Sequence, residues 1–354
     1  MINIGVIGAC GIAKRRMIPE GITKADNVRL TAVMDLDVSG AREIAKIYKV
    51  NKCYSKVEEL INDKEVQAVY LAVPTHLHLP IAIKAARAGK HVLVEKPMAM
   101  NPAECLRMIK ECKKNRVKLM TGLFMRFHVY HQKMKELIDA GLIGKPVLAR
   151  AQLSCWYPEI PGAWRQNKIL GGGGSLIDMG MHCIDLLRML MGEITEVSAF
   201  TANSAFKYKV EDNAAVILRF KSNALAMVDS SFCVTDSSSH NVLELYGQKG
   251  AVKSEYTIGQ GAGGKVNINY AEESKGYDAS QKREVKEKEL IFDSSNLKLG
   301  DPIPVSPYKL EIEHFADCIE NNKEPLISGA EGLRIQEIMA ALYESARTGR
   351  KIKV

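Results

Sequence analysis

Through residue 124 the chain repeats one pattern, a short and almost wholly apolar run followed by a longer amphipathic stretch. The apolar runs are INIGVIG (2–8), VRLTAVMD (28–35), AVYLAVP (68–74), HVLVEKP (91–97) and KLMTGLF (118–124). Runs of this length without polar alternation predict strands covered on both faces. Between them, apolar residues recur at helical spacing over about 11–24, 39–50, 79–89 (ended by Gly89) and 102–116. Strands separated by single helices need crossover connections, which are right-handed and build a parallel sheet.

Beyond residue 124 the pattern changes. A helix over about 128–141 leads to PVLARAQLSCW (146–156), a glycine-rich stretch and one helix over about 176–192. Five strand-like segments follow: EVSAFTAN (196–203), NAAVILRF (213–220), LAMVDSSF (225–232), NVLELYG (241–247) and KVNINY (265–270). Short turns join them with almost no helix, which predicts a largely antiparallel sheet. The polar stretch 271–289 reads as a solvated loop or an edge strand, and helices over about 308–321 and 330–347 close the chain. The architecture is therefore α/β, with a nucleotide-binding type of domain over 1–124 and an α+β domain over 125–354. There is no internal repeat and no low-complexity tract.

The first strand runs into a turn and a helix as GVIGACGIA (5–13). A dinucleotide-binding turn has small residues in a G-x-G-x-x-G/A pattern, so that the chain turns tightly, admits a pyrophosphate and packs its helix closely. Gly8 takes the first position and Ala13 the last, while Cys10 stands in the middle one with Gly11 and Ile12 after it. The second strand ends in Asp35, 27 residues after Gly8. A carboxylate there accepts hydrogen bonds from an adenosine ribose and repels a 2′-phosphate, which favours NAD over NADP. The alternative is that Asp35 or Asp37 caps the next helix.

Two further segments carry candidate chemistry. VLVEKPMAM (92–100) puts Lys96 at a strand end, where parallel sheets bind ligands. Pro97 holds Lys96 extended and admits a cis peptide; a solvated surface lysine is the plainer reading. GGGGSLIDMGMHCIDLL (171–187) leads four glycines, a flexible turn or a close approach to ligand, into a helix. Asp178 and His182, four apart, share one face of it, and Asp185 stands three beyond His182. The pair reads as a base with its orienter or as metal ligands, but no third ligand is near, so no metal is expected. The apolar residues around the pair bury it, and buried polar groups need partners.

Together these segments carry a family resemblance. EKP (95–97), WR (164–165), the GGG-x-L-x-D-x-G-x-H-x-x-D run (172–185) and SARTGRK (345–351) occur in the order found in the Gfo/Idh/MocA oxidoreductases, and the chain resembles that family over nearly its whole length. The resemblance implies an N-terminal Rossmann domain and a C-terminal domain with a large open sheet, through which subunits pair as a homodimer or homotetramer. It implies that Lys96, Asp178 and His182 form the catalytic group. Oxidising a secondary alcohol requires removal of its hydroxyl proton, which an imidazole of near-neutral pKa can accept. His182 is accordingly assigned as general base, Lys96 as the cation that stabilises charge on oxygen, and Asp178 as orienter, with exchange of roles between His182 and Lys96 as the alternative. The resemblance also places Pro74, Thr75, His76, Glu95, Trp164 and Arg165 against the cofactor. Arg126 and Tyr157 are candidate substrate contacts. His76 and His78 read as a loop contact and a structural histidine rather than a metal pair.

Composition narrows the function classes. The 354 residues are 46% hydrophobic and 25% charged, as in ordinary globular proteins, which excludes disorder as the main state. No apolar run is long enough to span a bilayer, and the first basic residues follow the N-terminal apolar run instead of preceding it, so a cytoplasmic protein without membrane attachment is expected. The net charge of +8 is spread without basic blocks and aromatic residues are 6%, so nucleic acid is not expected as a partner. The eight cysteines form no C-x-x-C pair and read as small buried apolar residues. The function expected is an NAD-dependent oxidoreductase acting on a secondary hydroxyl of a sugar, sugar derivative or cyclitol. The alternatives are a redox-neutral glycoside-processing enzyme with tightly held NAD and a non-catalytic dinucleotide-binding sensor.

Overall fold

A computed structural model describes residues 1–271, 287–296 and 304–354. Six strands, β1 (Ile2–Ile7), β2 (Val28–Met34), β3 (Lys52–Tyr54), β4 (Ala68–Leu71), β5 (His91–Glu95) and β6 (Leu119–Gly122), form one sheet in the order β3-β2-β1-β4-β5-β6. Every pair is parallel, as the run-and-helix pattern predicts. The order reverses between β1 and β4, and it is at the carboxyl ends of strands at such a reversal that parallel sheets bind ligands. The helices are tied down by local chemistry. Asp37 caps Val38–Ile47 by accepting from the Gly40 N–H at 3.0 Å. Asn101 caps Pro102–Lys114 by accepting from the Glu104 N–H at 3.0 Å, and Pro102 opens that helix. Their apolar faces, Ala41 and Ile44 on one and Cys105, Met108 and Cys112 on the other, are buried in the core. The three-residue β3 and the five-residue helix Val57–Ile61 are too short to leave a periodic signal. β4 and β5 stop pairing at Leu71 and Glu95, sooner than the apolar runs end, which releases 72–74 and 96–97 as loops.

A second sheet has nine strands: β7 (Pro146–Ser154), β8 (Ile194–Ala202), β9 (Asn213–Phe220), β10 (Leu225–Ser231), β11 (Val242–Gly247), β12 (Gly250–Glu255), β13 (Lys265–Ala271), β14 (Glu287–Asp293) and β15 (Ile352–Lys353). Their order is β14-β13-β12-β11-β7-β10-β9-β8-β15. Among the described residues only β7 and β10 pair in parallel in this sheet; its other pairs are antiparallel. The sheet is two-faced, as alternation requires. In β9, Ala214, Val216, Leu218 and Phe220 are buried while Ile217 is exposed. The helix Met181–Met191 packs beside β7 and β10. Phe200, Ile217 and Met227 stay exposed. Of the polar stretch 271–289, residues 287–289 belong to the edge strand β14, and 272–286 lie outside the described residues.

The chain groups into two compact units. The first holds 1–124, 160–173 and 306–340, and the second 125–159, 174–305 and 341–354. Among the described residues no helix is long and apolar enough to cross a membrane.

Leu71, fully buried on β4 between Ile7 and Val94, tests the first core. Leu71→Ala is expected to destabilise the protein by about 2–5 kcal/mol, measured as a lower urea midpoint.

Candidate active site

In the first unit, β1 leads into Gly8, whose N–H donates to the Met34 carbonyl at 2.9 Å. Its φ of 87° is open to glycine, and a Cβ would stand 2.5 Å from the Ala72 carbonyl oxygen. Gly11 then breaks the helical path of Ala9–Ile22 with φ −90° and ψ −126°. Ile12 is half-buried behind it. The Asp35 carboxylate accepts from the Cys10 N–H at 2.8 Å and the Asp37 N–H at 3.0 Å, so one anion joins the end of β2 to the turn. Asp37, not Asp35, caps the next helix. The Cys10 sulfur points to the Asp37 carbonyl, 3.8 Å away, and fills the space over Gly40, where a Cβ would come within 2.7 Å of it. Burial and the charges of Asp35 and Asp37 push its thiol up to about 12, so it is a neutral filler rather than a nucleophile. A tight glycine turn, a cradle that a side chain would close and an anchored acid beyond β2 fit a dinucleotide.

The loops after β4 and β5 lie at the same edge of the sheet. Thr75 is fully buried, and the His76 Nδ1 lies 3.3 Å from the Leu170 carbonyl, which ties the loop after Pro74 to segment 160–173. His78 bridges the two loops, its ring nitrogens 2.9 Å from the carbonyls of Val73 and Pro97. Burial pushes its imidazole down to about 4, so the ring is neutral and its single N–H donates to one of these two carbonyls. Among the described residues no three His, Cys, Asp or Glu side chains are grouped to hold a metal ion. Glu95 accepts from the Tyr70 hydroxyl and, at 3.2 Å, from the Lys96 N–H. Burial raises its carboxyl above the ordinary range, and Tyr70, Lys96 and Arg165 offset only part of that rise. The Lys96–Pro97 peptide is cis. The Arg165 guanidinium lies 4.2 Å from the Trp164 ring centroid. Trp164 and Arg165, expected within the second domain, belong to the first unit and so join Glu95 there.

In the second unit the glycine run is shaped by one buried acid. Glu211 accepts at Oε1 from the N–H groups of Gly174 (2.9 Å) and Leu176 (3.1 Å) and from the Tyr343 hydroxyl (2.7 Å). A Cβ on Gly174 would lie 1.9 Å from the Glu211 carbonyl, so only glycine permits this approach. The helix begins with a wide turn, Leu176–Gly180, and tightens into Met181–Met191. Asp178 sits half-buried in the wide turn and His182 is buried just beyond it. Cys155 lies within the field of Asp178, and its sulfur touches that of Met179 at 3.6 Å. Asp185 is committed elsewhere: both its oxygens accept from Arg126, at 2.9 Å from Nε and 2.6 Å from Nη2, with both side chains buried. Tyr157 packs on Phe232 with ring centroids 5.0 Å apart.

Residues 2–123 match the family model described as "Oxidoreductase family, NAD-binding Rossmann fold", and residues 131–253 match the "GFO/IDH/MocA C-terminal domain". Myo-inositol 2-dehydrogenase of Thermotoga maritima is 35% identical over 258 residues, 71% of this chain and 74% of that protein. The chain belongs to the Gfo/Idh/MocA family. It is an oxidoreductase with an NAD-binding Rossmann domain. Among other family relatives, 1,5-anhydro-D-fructose reductase of Ensifer adhaerens is 28% identical over 352 residues, 99% of this chain and 98% of that one. The solved aldose-aldose oxidoreductase of Caulobacter crescentus, complexed with glycerol, superposes with a TM-score of 0.86 at 27% identity, covering 100% of this chain and 99% of that one.

Sequence reading missed Tyr70, Glu211 and Tyr343, each a single polar residue in a strand, turn or helix with no local motif. The Arg126–Asp185 pair is directly testable. Arg126→Ala leaves a buried carboxylate unpaired and is expected to cost about 3–5 kcal/mol in chemical denaturation. Replacing both residues with apolar side chains of similar volume should recover most of that loss.

Proposed function

We propose that the protein oxidises, reversibly, a secondary hydroxyl of a sugar, sugar derivative or cyclitol, using NAD. The observation that carries this reading is the wide turn that holds Asp178 half-buried with His182 buried just after it, on a helix start anchored by Glu211. Relatives named for inositol and anhydrofructose support the substrate class. When bound, the nicotinamide supplies the hydride acceptor. The chain's own part is proton handling and charge: His182 takes the hydroxyl proton, Lys96 stabilises the negative charge growing on that oxygen, and Asp178 orients the hydroxyl and the imidazole. Exchange of the first two roles is the alternative. Arg126, committed to Asp185, supports the helix that carries His182, while Tyr157 faces the substrate.

In this reading 1–124 binds the cofactor through Gly8, Cys10, Gly11, Ile12, Asp35, Pro74, Thr75, His76, Glu95 and Lys96, aided by Trp164 and Arg165, and 125–354 binds the substrate. Asp35, held by two backbone N–H groups, repels a 2′-phosphate and selects NAD over NADP. Subunits pair through the second sheet, where Phe200, Ile217 and Met227 are exposed. The setting is cytoplasmic, which suits eight free cysteines.

Incubation with NAD⁺ and a panel of pyranoses, glycosides, sugar acids and cyclitols should yield NADH; silence across the panel would remove the dehydrogenase reading. His182→Ala should lower kcat by about 10²–10⁴-fold with NAD⁺ binding retained, and Lys96→Ala should likewise abolish turnover. Wild-type rates in either variant would refute the site. Asp35→Ser should narrow the preference for NAD over NADP, and an unchanged ratio of kcat/KM values would show that Asp35 does not set it.

A further inference from the structure

Four acidic groups of the first unit act on one another electrostatically: Tyr70 on β4, Glu95 on β5, and Tyr308 and Glu311 on the helix Pro307–Glu320. Tyr70, Tyr308 and Glu311 are all buried, with Glu311 at 0% exposure. Tyr308 stacks on Phe124 at 4.4 Å between centroids. The two carboxyls live in unlike surroundings. Glu95 accepts from the Tyr70 hydroxyl and the Lys96 N–H, and the cations Lys96 and Arg165 act on it. Neither oxygen of Glu311 has a hydrogen-bond partner among the described residues. The charge that acts on it is the negative one of Glu95. Its helix packs on Ala9–Ile22, β1 and β2. There Arg16 and Glu20 pair at 2.6 Å, and both act on Tyr308.

A carboxylate buried without donor or cation is strongly disfavoured and takes up a proton instead. Two neighbouring carboxyls in unlike surroundings separate into an acid and an anion. We propose that Glu311 carries a proton and Glu95 does not, so that Glu311 is a neutral acid at neutral pH and Glu95 is the single anion behind Lys96. Burial first, then the Glu95 charge, push the Glu311 carboxyl well above its ordinary range. Glu311 is then a positioning residue that acts through Glu95: were it ionised, a second negative charge would tighten the hold on the Lys96 proton. This consequence for Lys96 rests on the catalytic role proposed above; the location of the proton does not.

Infrared difference spectra of the full chain at pH 7, wild type minus Glu311→Gln, test the proton directly. The expected difference is the C=O stretch of a protonated carboxylic acid, shifted in D2O. A pair of ionised-carboxylate stretches in its place would overturn the proposal. The pH dependence of stability has a definite sign. A carboxyl raised in the folded state contributes stability below its unfolded pKa of about 4.3 and loses it as pH rises through the folded value. Glu311→Gln should therefore melt above wild type by a margin that widens as pH increases; a constant or shrinking margin counts against the pair. Should the variant fail to fold, the acid band of the wild type is titrated instead. It should persist well above the ordinary carboxyl range, and its disappearance within that range would refute the assignment.

The positioning role is read from NADH affinity, followed by fluorescence across pH. Wild type should weaken at alkaline pH as a second anion forms, and Glu311→Gln should lose that dependence. Identical profiles would remove the positioning role. An acid band at Glu311 together with a fully active Lys96→Ala variant would leave the proton on Glu311 standing and overturn the catalytic reading of Lys96.

Discussion

Where β1 ends, Gly8 lies so close to the end of β4 that the Ala72 carbonyl occupies the place of a side chain. The approach follows from the parallel pairing of β1 with β4 at the point where the strand order reverses. It forces the chain into a left-handed turn, and the helix that follows can then start directly above the sheet edge. The same edge receives the loops after β4 and β5, and the His78 ring lies between them, within 2.9 Å of a carbonyl in each. Asp35 closes the arrangement from the other side by holding the Cys10 N–H. The dinucleotide turn, Thr75, His76, Glu95 and Lys96 thus share one edge because one strand pair leaves no room for a Cβ.

Around both candidate sites, buried charge is placed where the backbone or a single partner can satisfy it. Glu211 takes two N–H groups and a phenol, and so fixes the start of the helix that bears Asp178 and His182. Asp185 takes a bidentate arginine. Such groups contribute less to net stability than to a unique geometry, since an apolar replacement would often be as stable. Glu311 departs from this rule: neither of its oxygens has a hydrogen-bond partner among the described residues, and the charge that acts on it is that of the acid preceding Lys96.

The middle position of the glycine turn shows how tertiary packing tolerates a departure from a motif. Cys10 is larger than the glycine that the pattern prefers, yet its sulfur turns toward Asp37 and rests over Gly40. The glycine needed to admit that side chain is therefore supplied from another helix. Gly11, with its non-helical backbone, restores the opening that the turn requires.

The sequence by itself determined the strand–helix alternation, the parallel sheet, the switch to a mostly antiparallel sheet and the segments that carry Lys96, Asp178 and His182. Each rests on periodicity or on residues adjacent in the chain, because local burial and backbone chemistry write themselves into short windows. β3 and β12 were not legible, since three residues at a sheet edge, and six between two antiparallel neighbours, take their pairing from those neighbours instead of their own apolar content. Nor were Tyr70, Glu211 and Tyr343, whose hydrogen-bond partners lie from 25 to 132 positions away, nor Glu311, unpaired among the described residues. Only the tertiary structure decided that Asp37 rather than Asp35 caps a helix, that Arg126 belongs to Asp185, and that segments 160–173 and 306–340 join the parallel-sheet unit. The reason is common to all of them: a buried polar group must find its partner in space, and which partner is within reach is set by how the elements pack.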